Sequence, residues 1–244
     1  MTTATVPAAV REATDRLLSA IEAAGVQGAS AVLYGSAARG DWHAAHSDIN
    51  LLLVVEALPP ATLRALAGPL SQWRAAHGSP PILATRAEWR TAEDSFPLEL
   101  ADMHLARVVL RGPDPVEGHA PARADVRRAL ERELRVAVLQ LRRGYVAHAA
   151  DPEALARLAA ATGGPLLAVL RLLLQHVGEA VPPAAEAVIA RAAARVPFDA
   201  EAVLAARAAR DPASRAFGAE AFERYLAAVE AAAAFIDGHH PGDA

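Results

Sequence analysis

Apolar residues recur along the first 24 positions at helical spacing. Val10, Ala13, Leu17, Ile21 and Ala24 share one face, and Gly25 follows as a stop. The period then changes. "SAVLY" (Ser30 to Tyr34) is an apolar run of strand length, and "INLLLVV" (Ile49 to Val55) is a second, too apolar for a sheet edge. Pro59 and Pro60 lead into "ATLRALAGPLSQWRAAHG", a helix whose internal Gly-Pro is a candidate kink. "PPILAT" (Pro80 to Thr85) predicts a third strand, and "FPLELADMHLARVVL" (Phe96 to Leu110) is expected to begin as a fourth. Strands alternating with helices predict an α/β or α+β domain with helices packed on a mixed sheet.

"RGPDPVEGHAPARAD" (Arg111 to Asp125) is rich in proline and glycine and is the best linker. Beyond it the strand signals vanish. Val126, Leu130, Leu134, Val138 and Leu141 mark a long amphipathic helix, and Phe222, Leu226, Val229, Ala233 and Ile236 mark another. Asp151-Pro152 and Asp211-Pro212 each have the form of an N-cap followed by proline at the first helical position. The second half is therefore expected to be a bundle of about five or six helices. The predicted division is residues 1–117 for the mixed domain, 118–238 for the bundle and 239–244 for a disordered tail. His239 and His240, in that tail, are read as solvated rather than metal-binding.

Composition narrows the function classes. With 53% hydrophobic and 21% charged residues, the 244-residue chain is globular. A net charge of −4 argues against broad nucleic-acid binding. The chain has no cysteine, which excludes disulfides, thiolate metal sites and cysteine nucleophiles. It also has no lysine, so Schiff-base chemistry and a Walker-type phosphate lysine are excluded, and all 24 basic side chains are arginine. The N-terminus mixes charges with apolar residues, unlike a signal peptide. "PLLAVLRLLLQHV" is interrupted by Arg171 and is read as too short to cross a bilayer. The expectation is a soluble cytoplasmic protein without membrane partners.

The chemistry concentrates in "LYGSAARGDWHAAHSDINLLLVV" (Leu33 to Val55). Gly35 and Ser36 follow a strand directly; a tight turn with exposed amides and a hydroxyl suits phosphate oxygens. Arg39 is near enough to add a charge-assisted contact to phosphate. Asp48 comes twelve positions after Ser36, with Asn50 two further on. Residues at i and i+2 of a strand point to one side, so both oxygen-bearing side chains are expected beside the turn, as a magnesium nucleotide requires.

"GSAARG" followed by "SDIN" resembles the signature of polymerase-beta-type nucleotidyltransferases: Gly-Ser, a spacer, then Asp-h-[Asp/Glu]-h with h apolar. The Gly-Ser-x-Ala-Arg-Gly form is similar to the small bacterial branch that includes aminoglycoside nucleotidyltransferases and minimal nucleotidyltransferase antitoxins. The similarity extends over residues 9–117. It implies an α+β fold class: a nucleotidyltransferase-like mixed sheet with flanking helices, followed by an all-α helical bundle. It also implies magnesium as cofactor, ATP or another nucleoside triphosphate as substrate, and a hydroxyl acceptor on a small molecule or protein. Gly35 and Ser36 would hold phosphate, Asp48 would be the principal metal ligand, and a third carboxylate would lie on a later strand. Glu99 is the first choice for it and Asp102 the reserve.

Asn50 departs from the signature. Its amide can lend one carbonyl oxygen to a cation but supplies no charge and cannot act as a base. Three readings stay open: a slow transferase using Asp48 and Glu99, a nucleotide-binding or antitoxin-like regulatory module without turnover, and a degenerate scaffold whose helical half does the work. His43 and His46, between the two motifs, are read as solvated, and the arginines of "RRALERELR" and "LQLRRGY" as the wet face of a helix.

Overall fold

The structure, a computed structural model, describes residues 5–45, 47–211 and 217–239. His46, His240 and Pro212, which carry expectations above, lie outside the described residues. The chain divides into two compact units, Met1–Ala122 and Arg123–Ala244.

Unit 1 is built on four strands: β1 (Ser30–Tyr34), β2 (Asn50–Val55), β3 (Ile82–Thr85) and β4 (Arg107–Arg111). Their order is β3-β2-β1-β4; β1 pairs antiparallel with β2 and β4, and β2 pairs parallel with β3. The most apolar strands thus lie inside the mixed sheet, where a two-sided core needs them. Alternation divides the core. Leu33, Leu51 and Leu53 face a layer with α1 (Ala8–Ala23) and α3 (Pro60–His77), including Leu17 and Trp73. Val32, Tyr34, Leu52 and Val54 face the other layer, which contains Trp89, Leu100 and Met103 from α4 (Arg86–Trp89) and α5 (Pro97–Leu105). Each fully buried Leu or Val there contributes roughly 1.5–3 kcal/mol relative to exposure. The short helix α2 (Ser36–Arg39) follows β1 directly.

The stretch after Phe96 corrects the expectation of a fourth strand. It forms α5 first, and β4 begins only at Arg107. Pro97 occupies the first turn, where its missing N–H costs nothing. Pro97, Leu100, Ala101 and Met103 are buried at helical spacing, so the core selects the 3.6 period over the 2.0 period. Farther back, α3 continues across Pro69.

The three tryptophans staple loops of this unit. Each indole N–H donates to a backbone carbonyl: Trp42 to Ser47 (3.0 Å), Trp73 to Ser79 (3.0 Å) and Trp89 to Pro115 (2.8 Å).

Unit 2 contains α6 (Arg123–His148), α7 (Pro152–His176), α8 (Ala185–Arg195), α9 (Ala200–Ala208) and α10 (Ala219–Gly238), with no strand among its described residues. The stripe from Val126 to Leu141 is buried on α6. Asp151 caps α7 by accepting from the Ala154 N–H, with Pro152 next, and Asp199 caps α9. The cap expected at Asp211-Pro212 falls on residues outside the described ones; α10 begins at Ala219 after Gly218. The α7 helix has 25 residues and is long and apolar enough to cross a membrane, contrary to the expectation that it is too short. In this fold it buries Leu155, Leu167, Leu170 and Leu173 together with Arg171 and packs against α6, α8, α9 and α10. His239, the first residue of the expected tail, is packed: its ring stacks on Phe235 and meets His176 edge-on.

Candidate nucleotide site

The site begins where β1 ends. Gly35 has φ +74° and ψ −152°, a combination only glycine adopts readily. Its carbonyl accepts from the Ala38 and Arg39 amides, which coils the next residues into α2. Gly40, left-handed at φ +89°, ends that turn. A Cβ added to Gly35 would stand 2.6 Å from Asn50 Nδ2, so the turn and the mouth of β2 are in close contact. Tyr34 is the register partner of Asn50 and shares its face of the sheet.

Asn50 opens β2 and is half-buried. Asp48 lies ahead of the strand and is exposed. Its Oδ1 is 3.0 Å from where a Cβ on Gly78, the positive-φ residue ending α3, would stand. The strand alternation therefore orients Asn50, whereas a loop orients Asp48. That loop is tied at Ser47. Its amide donates to the His43 carbonyl (2.9 Å), its Oγ accepts from the His43 amide (3.1 Å), and its carbonyl accepts from Trp42 Nε1. His43 itself is exposed.

Arg39 is ion-paired. Its Nη1 donates to Asp102 Oδ1 at 2.5 Å, and its Nε stands 3.4 Å from Asp41 Oδ1. The side chains of Arg39 and Asp102 are each 13% exposed. Burial pushes the Tyr34 phenol well above the usual range, and the charges of Glu99 and Asp102 push it further. The phenol stays protonated, and both acids of α5 are near enough to act on it.

Glu99 and Asp102 are thus on a helix, which corrects their expected place on a strand. Neither later strand carries an acid: β3 is "ILAT" and β4 is "RVVLR". No group of three or more His, Asp or Glu side chains is placed to hold a metal ion among the described residues. At the strand mouth the oxygen donors are one carboxylate, Asp48, and one amide, Asn50. That set fits a single magnesium ion arriving with a nucleotide, whose phosphates and waters complete the shell. By themselves these two donors do not make a two-metal centre, which needs bridging carboxylates. His104 and His119 form a separate pair behind the site: His104 Nε2 contacts the His119 carbonyl, and His119 Nδ1 contacts Glu93.

Residues 15–99 match the family model of the nucleotidyltransferase domain. That stretch lies within unit 1 and includes the motifs that resemble those of polymerase-beta-type nucleotidyltransferases. Among solved structures the chain is similar to spectinomycin adenyltransferase AAD(9) from Enterococcus faecialis, determined with ATP and spectinomycin. The TM-score is 0.55 at 14% identity, over 93% of this chain and 98% of that one. At that identity the likeness is one of fold, and it covers residues of both units. No curated protein matches the chain.

Sequence reasoning named Gly35, Ser36, Arg39, Asp48, Asn50, Glu99 and Asp102. The structure brings Tyr34, Asp41 and Ser47 beside them. Tyr34 had a signal, as the last residue of a buried strand before the glycine. The bond network on Ser47 and the ion pair across 63 residues had none.

Proposed function

We propose that this protein binds a nucleoside triphosphate, ATP first, and transfers its nucleoside monophosphate to a hydroxyl group of a small molecule or protein. The observation that carries the reading is the Gly35–Ser36 turn in contact with the mouth of β2, inside a nucleotidyltransferase domain. The Ser36 hydroxyl donates to a phosphate oxygen, and Arg39 offers a charge-assisted contact. Asp48 and Asn50 would hold a magnesium ion that arrives with the triphosphate, and the ion would neutralise phosphate charge and polarise the phosphorus–oxygen bond. The acceptor oxygen bonds to the α-phosphorus, the bond to pyrophosphate breaks, and pyrophosphate leaves. Glu99, one of the two acids of α5 that act on Tyr34, takes the acceptor's proton. That adenyltransferase AAD(9) was solved with ATP and a small-molecule ligand supports the substrate classes.

The test is transfer of label from α-labelled ATP to pooled hydroxyl acceptors with Mg²⁺ or Mn²⁺. Asn50→Asp is expected to raise turnover about tenfold or more, since it restores a charged ligand. No transfer by wild type or Asn50→Asp sinks the enzymatic reading. A second reading, a nucleotide-binding or antitoxin-like module without turnover, is favoured by Asn50 and the acid-free strands β3 and β4. It predicts ATP-dependent thermal stabilisation with no product.

A further inference from the structure

Arg39 combines three properties that bear on one another. It stands at the end of the short helix that begins on the Gly35–Ser36 turn. Its side chain is 13% exposed. Two carboxylates from different elements reach it: Asp102 of α5 on Nη1 at 2.5 Å, and Asp41, just past Gly40, toward Nε at 3.4 Å. Two acids around one guanidinium leave a local charge of about −1, and Glu99, three residues before Asp102 on α5, adds to it. A triphosphate, itself strongly anionic, meets no net positive charge from this group. For Arg39 to grip phosphate, one carboxylate must give way. Asp102 makes the closer contact, and its removal from a mostly buried pair changes the electrostatics most.

We propose that Asp102 sets the affinity of the nucleotide site: its carboxylate occupies the guanidinium edge that a phosphate would claim, and a nucleoside triphosphate binds by exchanging that carboxylate for its own phosphate oxygens. This rests on the nucleotide-binding reading above. Two consequences follow from the exchange. The gain on removing the carboxylate belongs to the phosphates rather than the base or ribose. It also requires Arg39.

The experiment is isothermal titration of the full chain with ATP, tripolyphosphate and adenosine in EDTA, which keeps divalent ions out of the comparison. Asp102→Asn is expected to tighten ATP and tripolyphosphate binding about fivefold or more and to leave adenosine unchanged. In an Arg39→Gln background the same substitution is expected to give no gain beyond general charge. Asp41→Asn makes an equal charge change at the longer contact and is expected to gain less. Thermal unfolding checks that each variant folds, and Asp102→Ser, scored identically, takes the place of Asp102→Asn should that variant misfold. Unchanged or weaker triphosphate binding by the Asp102 variants, or an equal gain from Asp41→Asn, overturns the exchange while leaving nucleotide binding intact. Wild type and all variants failing to bind ATP both in EDTA and in a repeat titration with excess Mg²⁺ removes the nucleotide reading itself and the exchange with it.

Discussion

The two units spend their charges differently. Residues 1–122 contain nine arginines against 13 Asp and Glu, whereas residues 123–244 contain 15 of each. The helical unit balances its charges and places several of them in exposed pairs such as Arg142–Glu230 and Arg224–Asp199. Such pairs contribute on the order of 0–1 kcal/mol each and leave the apolar stripes to hold the fold. The sheet unit carries an acidic excess and gathers part of it at one end of β1 and β2, where Asp41, Asp102 and Arg39 are mostly buried. Charge concentrated at a strand mouth has a desolvation cost and suits a charged ligand. Charge spread over helix surfaces suits solubility. The contrast agrees with the proposal of a nucleotide site in unit 1.

The largest test of this division is core truncation. Leu52→Ala in β2 and Leu173→Ala in α7 each remove a fully buried side chain, and each is expected to cost about 2–5 kcal/mol in denaturant unfolding. Asp48→Ala is the reverse case. Asp48 is exposed, so stability is expected to stay within about 0.5 kcal/mol. Nucleotidyl transfer is expected to fall about 100-fold or more, read with labelled ATP. A stability loss as large as that of Leu52→Ala would erase the distinction between site and core.

Acid sharpens the comparison from the helical side. Burial, aided by the charges of Arg123, His239 and Arg127, lowers His176 from 6.5 to about 4. The unfolded chain takes up that proton near pH 6.5, and the folded chain only near pH 4. Stability therefore falls as pH drops through this window, by up to about 3 kcal/mol. His176→Gln is expected to flatten the window, checked by urea unfolding at stepped pH. The smallest effects come from caps. Thr85 forms a capping box with Glu88 at α4, and Asp151 caps α7. Thr85→Ala and Asp151→Ala are each expected to cost about 1 kcal/mol in denaturant unfolding.

Much of the site was legible because it is local. Gly35, Ser36, Asp48 and Asn50 lie within one strand–turn–strand stretch, where period and turn chemistry speak directly. The stripes of α6 and α10 were legible for the same reason. The misreading at Phe96–Leu110 came from a short apolar run that suits either period until the core selects one. With it went the expected strand for Glu99. The Arg39–Asp102 pair was out of reach, because no local rule joins a residue of α2 to one of α5. The length of α7 was underestimated because Arg171 reads as an interruption in sequence but is buried in the fold, where its Nη2 donates to the Pro183 carbonyl.

The indole staples carry one more consequence, an optical one. All three tryptophans belong to residues 1–122 and none to residues 123–244. Red-edge excitation therefore lights only unit 1 and leaves the helical unit dark. Trp42 is bonded to Ser47, the residue before Asp48, so its emission reports from the mouth of the strand. Ligand arrival there and the melting of the dark helices, seen in the far ultraviolet, can be followed in one cuvette without a label.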